Sequence, residues 1–550
     1  MLKRAFAALE SSLFLSCMDC ISTRLPYRET NYFSKIILDY LDHAESLKSF
    51  YVHQPSLKGI EQAISDRRDT STNRKILVAE LKKRYAESRG SDLVHKNVEA
   101  LLSENTFTIT TAHQPNIFTG PLYFIYKILH VIKLSEYCKA SLPGYNFVPV
   151  FFMGSEDADL DELGHFHLNG EKIVWNTKQT GAVGRMKVDK EFLELIGQSE
   201  GQLTVLPFGG EIISIIKHSY KEGVTIQDAT FEFVNTLFGE YGLIVLIPDN
   251  TNLKRLATEI FKDDLLNETA SVIVEKTAER LDAVGYKLQV NPREINLFYL
   301  KDGLRNRIER IKEKYVIRDS RLTFDEKAIF SELNDHPERF SPNVILRGLF
   351  QELILPNLVY IGGGGEIAYW LQLKDLFSHY EIPFPVLLLR DSFLIVEKKW
   401  QEKISRLGFN ADDFFLSEQE LLNRLVTRET KNKIGLNGDL TEIGNFYDSL
   451  HKQAIAVDAS LGKHVEALRS QSIYRLQELE KKMLRAEKRK FSDQQNQIKA
   501  IKEKLFPMDG LQERVDNVMY YYAKWGRDFL RQIHEHSLSL EEEFVVLTEK

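Results

Sequence analysis

Within about fifty residues the chain passes from a short β-branched run, "TFTITTA", through a polar loop and a helical segment from Leu122 to about Lys139, to a second apolar run, "FVPVFFMG". Two apolar strands joined by one helix cannot form a hairpin; the crossover makes them parallel and adjacent. A third run of this kind is "GLIVLIPDN", and "NLVYIGG" and "FPVLLLR" supply a fourth and a fifth. The alternation predicts an α/β fold with a doubly wound parallel sheet.

At 550 residues the chain is too long for one core, so further units are expected around that sheet. Residues 18–104 read as a helical N-terminal region. Its segment "NYFSKIILDYLDHAESLKSFY" places Phe33, Ile36, Ile37, Tyr40 and Leu41 on one face. The α/β core is expected over 105–435. In the region 436–510, apolar residues recur at threes and fours from Phe446 through Leu461, Leu468 and Leu479 to Leu505. This predicts one helix of about 60 residues, roughly 90 Å long, as a coiled-coil strand. Its run "KKMLRAEKRK" reads as a solvated face, and 511–550 form a C-terminal segment. The opening residues 1–17 superficially resemble a signal peptide, but Glu10 interrupts the apolar stretch. Translation is therefore expected to begin at Met18, with 1–17 as a start-site extension.

A formal charge of −7 removes the bulk electrostatic case for a nucleic-acid binder. No apolar run reaches the roughly 18 to 20 residues that cross a bilayer, so a soluble chain without membrane partners is expected. Three cysteines cannot build a disulfide framework, which favours the cytoplasm. Cys17 and Cys20 form a C-x-x-C pair with no second pair at metal spacing, and no metal site is expected from it. Cys138 reads as a small buried side chain.

In an open parallel sheet, ligands bind beyond the carboxyl ends of the strands, where helix N-termini present free N–H groups. The loop "HQPNIFTGP" lies between such a strand end and such a helix start. His113, Gln114, Asn116 and Thr119 offer donors and acceptors, Gly120 permits close backbone approach, and Lys127 follows in the helix as support for an anion. An ordinary βα turn is the alternative, because the loop matches neither G-x-G-x-x-G nor the P-loop. The next strand ends in "MGSEDADLDEL", which sets Glu156, Asp157 and Asp159 on the same sheet edge as candidate catalytic carboxylates. Such a cluster serves a cation, an amine or proton transfer, unless it is a solvated turn. In "NLVYIGGGGEIAYW", four glycines point to close approach by a ligand or backbone. Gly363, Gly364, Glu366, Tyr369 and Trp370 join the candidate set, with Arg347 as an anion clamp and Arg390 at a strand end.

Together "TTAHQPNIFTGPLYFIYKI", "PVFFMGSEDADLDEL", "HPERFSPNVILRGLFQELILPNLVYIGGGGEIAYW" and "VMYYYAKWGRDFL" resemble the bacillithiol biosynthesis BshC family, in order from about Met18 to the C-terminus. Where relatives often read G-Q-Q-x-G-L-L-T-G-P, this chain has His113 and Asn116 at two of the substituted positions. The resemblance implies a Rossmann-like core related to class I nucleotidyltransferases, interrupted by connecting segments, and a C-terminal coiled coil that supports a homodimer. It implies a ligase that joins the carboxyl group of cysteine to the amine of glucosaminyl-malate as an amide. The activating cosubstrate is left unknown; ATP or another nucleotide with Mg²⁺ would suit an acyl-phosphate or acyl-adenylate route. The H-x-G-H and K-M-S-K-S-like signatures of nucleotidyltransferases are absent. Two other classes stay open: a nucleotidyltransferase-like enzyme acting on RNA or another small molecule, and a non-catalytic coiled-coil scaffold.

Overall fold

The computed structural model describes residues 18–70, 72–86, 91–301, 303–430 and 435–550. The proposed start-site extension, with Cys17 of the C-x-x-C pair, lies outside the described residues; Cys20 and Cys138 are both buried.

Five strands form the central sheet: β1 (Thr106–His113), β2 (Asn146–Met153), β3 (Ile244–Leu246), β4 (Asn357–Gly362) and β5 (Val386–Leu389). They lie in the order 3-2-1-4-5 and every neighbouring pair is parallel. The β-branched and aromatic runs read from the sequence therefore form one sheet whose residues are buried on both faces, as helix-covered parallel sheets require. Strand order reverses between β1 and β4, the switch point at which ligands collect. Register brings the carboxyl ends level: His113 pairs with Met153, Thr111 with Ile361, and Gly362 with Leu389.

Helix α1 (Tyr123–Ser141) makes the β1-to-β2 crossover. Its Val131, Leu134 and Cys138 share a buried cluster with Phe107, Ile109, Val359 and Leu388. After β3 come α2 (Thr251–Arg255), α3 (Val344–Ile354) before β4, and α4 (Gly364–Trp370) directly after it. Between β3 and β4 the chain also builds an antiparallel five-stranded sheet, with Leu304–Ile311 at its centre flanked by Leu297–Lys301 and Lys314–Ile317.

The N-terminal region is helical, as its periodicity suggested, and it is fastened to the sheet. Tyr40 Oη donates to the Leu387 carbonyl at 2.8 Å, and Arg67 Nε donates to that of Asn357 at 3.0 Å. Val245 N donates to Tyr85 Oη at 2.8 Å. The amphipathic stretch at 31–51 is divided: a helix at Lys35–Leu41 buries Ile36, Ile37 and Tyr40, and a separate 3-10 turn covers Glu45–Phe50. A strand absent from the sequence reading, Cys20–Pro26, pairs with the C-terminal strand Glu543–Glu549.

The chain divides into two compact units, one comprising residues up to 394 together with 510–548, the other residues 395–509. The second unit thus begins well before position 436, where the sequence placed the coiled-coil region. The single 60-residue helix expected there is corrected to three: α5 (Asn437–Val457), α6 (Leu461–Lys488) and α7 (Ser492–Leu505). The break has a local cause. Asp458 adopts extended backbone and its Oδ1 accepts Ser460 N at 2.7 Å, an aspartate turn that competes with helical bonding. The chain then folds back, so α5 and α6 form an antiparallel hairpin within one chain. Tyr447 Oη lies 2.7 Å from Ser472 Oγ, and Arg469 pairs with Asp448 at 2.8 Å. Apolar Phe446, Val457, Leu461, Leu468, Tyr474 and Leu479 remain exposed along it.

Candidate active site

Two cavities open at the carboxyl edge of the sheet, and Gln114 and Arg347 line both. The first, about 440 Å³, is walled by Asp157, by Asn343 and Arg347 at the start of α3, and by Arg293, Arg305 and Arg307 around the antiparallel sheet. The second, about 270 Å³, lies at the switch point between the end of β1 and the glycine turn after β4. His113, Tyr123, Glu162, Glu366, Tyr369 and Arg390 surround it. Both volumes are near the range of about 300 to 1,000 Å³ typical of small-ligand sites.

The shared wall is a polar lattice. Gln114 Nε2 donates to Asp157 Oδ2 at 3.3 Å, and Arg305 Nη1 lies 3.7 Å from Asp157 Oδ1. Burial pushes the Asp157 carboxyl up, but Arg305 and Arg347 outweigh it and hold the group below its ordinary value. Arg347 is hydrogen-bonded to Tyr369. Its Nη1 passes close to Gly154, 3.4 Å from where a Cβ on that glycine would sit.

Behind the second cavity, Lys127 of α1 is buried and forms a 2.5 Å ion pair with Glu366, while its Nζ also donates to the Ala112 carbonyl at 2.7 Å. Glu366 accepts from Tyr360 Oη at 2.7 Å and from Gly363 N at 2.8 Å. Burial raises the Glu366 carboxyl, and Lys127 reverses that shift, leaving it lowered. His113 is pushed down to about 4, first by burial and then by Lys127. Its Nδ1 lies 3.0 Å from the Gln114 carbonyl, which can only accept, so Nδ1 carries the proton. Nε2 is therefore an acceptor, 3.2 Å from Tyr123 Oη.

Residues 18–391 match the family model described as "Bacillithiol biosynthesis BshC, N-terminal Rossmann-like domain", and residues 393–549 match "Bacillithiol biosynthesis BshC, C-terminal coiled-coil domain". The chain belongs to the bacillithiol biosynthesis BshC family. Among curated relatives, "Putative cysteine ligase BshC" of Flavobacterium johnsoniae is 39% identical over 534 residues, covering 96% of this chain and 99% of that protein. Proteins of the same name from Flavobacterium psychrophilum and Christiangramia forsetii are 38% and 36% identical, each covering 96% of this chain and 99% of their own. These names describe enzymes of ligase type, and the family fold agrees with the α/β core and helical C-terminal region observed. No helix among the described residues is long and apolar enough to cross a membrane.

The structure brings only part of the residue set singled out from the sequence to the cavities of this BshC-family chain. His113, Gln114, Asp157, Arg347, Gly363, Gly364, Glu366, Tyr369 and Arg390 line one or both. Arg390 is engaged there already: it donates to Glu513 Oε1 at 2.6 Å and Ser392 Oγ at 3.0 Å, and its guanidinium lies 5.1 Å from the Tyr123 ring centre. Lys127 serves as the counter-ion of Glu366 rather than facing a ligand.

Asn116, Thr119 and Gly120 turn inward. Phe118 and Thr119 have φ of +50° and +68°, uncommon for residues with a Cβ, and Gly120 follows at +61°. The turn is over-determined: Asn517 Nδ2 donates to the Phe118 and Gly120 carbonyls at 3.0 and 2.6 Å, and Phe118 packs among Phe166, Phe192 and Tyr220. A Cβ on Gly120 would meet that of Asn116 at 2.8 Å. Trp370 is core, 4.5 Å from the Tyr360 ring and 5.5 Å from Phe377. Asp159 is exposed and caps the short helix Leu160–Leu163, its Oδ1 accepting Glu162 N at 3.0 Å.

Glu156 is ion-paired with Lys254 of α2, whose side chain is fully buried. Lys254 also lies 3.6 Å from Asp249, which accepts two hydrogen bonds from Arg185 at 2.6 and 2.7 Å. Among the described residues, no three His, Cys, Asp or Glu side chains gather as a metal site. Sequence reasoning missed Arg293, Arg305 and Arg307. A signal for two of them was present: in "LRNRIERI" the arginines at 305 and 307 have the period of two that puts strand residues on one face.

Proposed function

We propose that this chain joins the carboxyl group of cysteine to the amine of glucosaminyl-malate as an amide, the last step of bacillithiol formation. The observation that carries the reading is the pair of cavities at the Rossmann switch point that meet at Gln114 and Arg347. A condensation needs two ligands held with their reacting atoms in contact, and a shared wall between adjoining lobes supplies that proximity. As the amine nitrogen bonds to the activated carboxyl carbon, negative charge develops on the acyl oxygen, and it returns to the carbonyl as the activating group leaves with the electrons of its bond to carbon. Arg347, held by Tyr369 at the junction, is the cation placed to meet that charge. The attacking nitrogen must shed protons, and the acceptors near the junction are the Asp157 carboxylate and His113 Nε2. Gln114, bonded to Asp157, orients that carboxylate.

The reading extends to a cytoplasmic homodimer, with the exposed apolar stripe of the α5–α6 hairpin as the subunit contact. Thiol profiling of a deletion strain tests the reaction. Glucosaminyl-malate should accumulate while bacillithiol disappears, and the gene should restore both. Normal bacillithiol in the deletion strain would sink the proposal.

A further inference from the structure

A third cavity of about 290 Å³ lies between the loop 179–187 and the turn of the inserted hairpin formed by Leu297–Lys301 and Leu304–Ile311. It shares no lining residue with the two cavities at the sheet edge. Three cations line it, Arg185 and Lys187 from the loop and Lys301 from the hairpin, and no carboxylate does among the described residues. Lys187 and Lys301 are exposed, and neither pairs with an acid among the described residues. Asp189, two residues beyond Lys187, is committed elsewhere: it accepts Trp175 Nε1 at 2.8 Å, Thr177 Oγ1 at 2.7 Å and Phe192 N at 2.9 Å. Arg185 spends Nε and Nη2 on Asp249 and the Glu338 carbonyl, which leaves Nη1 unpaired among the described residues. Like charges drawn from two elements into one concavity repel, and an anion between them removes that cost.

The walls are fastened to each other. Gln179 closes the loop on itself, its Oε1 accepting Lys187 N and its Nε2 donating to the Lys187 carbonyl, both at 2.8 Å. Thr180 Oγ1 donates to the Gly303 carbonyl at 2.9 Å. Gly181 has φ of +91°, and a Cβ there would meet the Gly303 carbonyl carbon at 2.6 Å, so loop and hairpin touch backbone to backbone. The same loop supports the turn that carries Asp157. Val183 N donates to the Asp157 carbonyl at 2.7 Å, and Gly184 N to that of Ser155 at 3.0 Å. Arg185 continues inward through Asp249 and Lys254 to Glu156. The hairpin, for its part, bears Arg305 and Arg307, which line the first cavity. The third cavity therefore sits where two elements that shape the candidate active site meet.

We propose that the third cavity is an anion site, which takes a phosphate dianion and ties the inserted hairpin to the loop that supports Asp157. The two lysines are compact point charges suited to a phosphate group, and the unpaired Arg185 nitrogen is a third donor. A dianion held by Lys301 on one wall and by Lys187 and Arg185 on the other favours the arrangement in which hairpin and loop are together. The site stands whether or not the ligase reading holds. Free phosphate and the phosphate end of a small monoester share this chemistry, and the cavity is near the size of small-ligand sites.

Inorganic phosphate is titrated calorimetrically into the full chain at low salt, alongside Lys187→Gln and Lys301→Gln. Both side chains are exposed, so the variants should fold, and thermal melts check this. Phosphate should bind, with an affinity about tenfold lower in each variant. Glycerol 1-phosphate separates the sources: tighter binding than phosphate assigns a monoester, and no tighter binding assigns the free ion. Acetate at equal ionic strength should not compete. Amide hydrogen exchange in the hairpin and the loop should slow when phosphate binds the parent, and stay unchanged when both lysines are replaced. No phosphate binding, or an affinity that both variants retain, as for a ligand of the first cavity, overturns the site. Displacement by acetate overturns the phosphate assignment. Binding that leaves exchange in the hairpin unchanged overturns the tie.

Discussion

Glu156→Gln separates two roles for the first carboxylate of "SEDAD". In the structure Glu156 neutralises Lys254, whose side chain is fully buried, while Glu156 itself is 10% exposed. Removing one partner of a buried pair costs about 3 to 5 kcal/mol, because the remaining charge is stranded away from water. Some compensation persists: Lys254 keeps Asp249 at 3.6 Å and the Glu338 carbonyl at 3.2 Å, although Asp249 is already held by Arg185. The expected loss is therefore at the low end, about 3 kcal/mol. The unit that contains the site has roughly 400 residues, for which the entropy of unfolding is on the order of 0.8 kcal/mol per kelvin. The melting temperature of that unit should fall by about 4 °C. Calorimetric melts of the parent and Glu156→Gln measure the shift. Glu156→Gln with Lys254→Met, which removes both charges, should recover most of it. A variant that melts with the parent yet makes no bacillithiol in a complemented deletion strain would refute this reasoning and make Glu156 a catalytic carboxylate.

Asp157→Asn should lower bacillithiol production about 100-fold while the chain stays folded, with a modestly lower melt because Arg305 and Arg347 lose the carboxylate that they hold below its ordinary value; full production would remove it from the site. His113 has a folded value of about 4, below its unfolded value near 6.5, so the unfolded chain takes up the proton first as pH falls. The stability that His113 contributes is present above about pH 6.5 and lost toward pH 4. His113→Gln should flatten that part of the melting profile, and equal pH slopes in the two proteins would contradict the assignment. Leu468→Glu, at an exposed position of α6, should shift the chain from dimer to monomer in light scattering at micromolar concentration; a parent that is already monomeric would dismiss the hairpin contact.

The sequence by itself determined the central sheet. Apolar runs such as "FVPVFFMG" and "NLVYIGG" can be satisfied only by burial on both faces, and the intervening helices leave a parallel arrangement. Strand ends then follow directly, so His113, Gln114, Asp157 and Glu366 were legible as residues near a ligand edge. Which of their neighbours face a ligand was not. Thr119 and Asn116 sit in the same loop as Gln114, but Asn517, some 400 residues away in the chain, pulls the turn inward. Glu156 and Asp157 are adjacent, and only the arrival of Lys254 from α2 assigns one to the interior and leaves the other at the cavity. The arginine wall has the same origin, because an inserted sheet brings Arg305 and Arg307 to α3 across a long sequence separation. In the C-terminal region periodicity specified helix and an apolar face, yet a heptad pattern is equally satisfied by a long helix or by a hairpin. The turn at Asp458 and the close approach at Gly462, where a Cβ would meet His451 Nε2 at 3.1 Å, decided for the hairpin. Local pattern fixes which face of an element must be covered; the partner that covers it is chosen by contacts between distant parts of the chain.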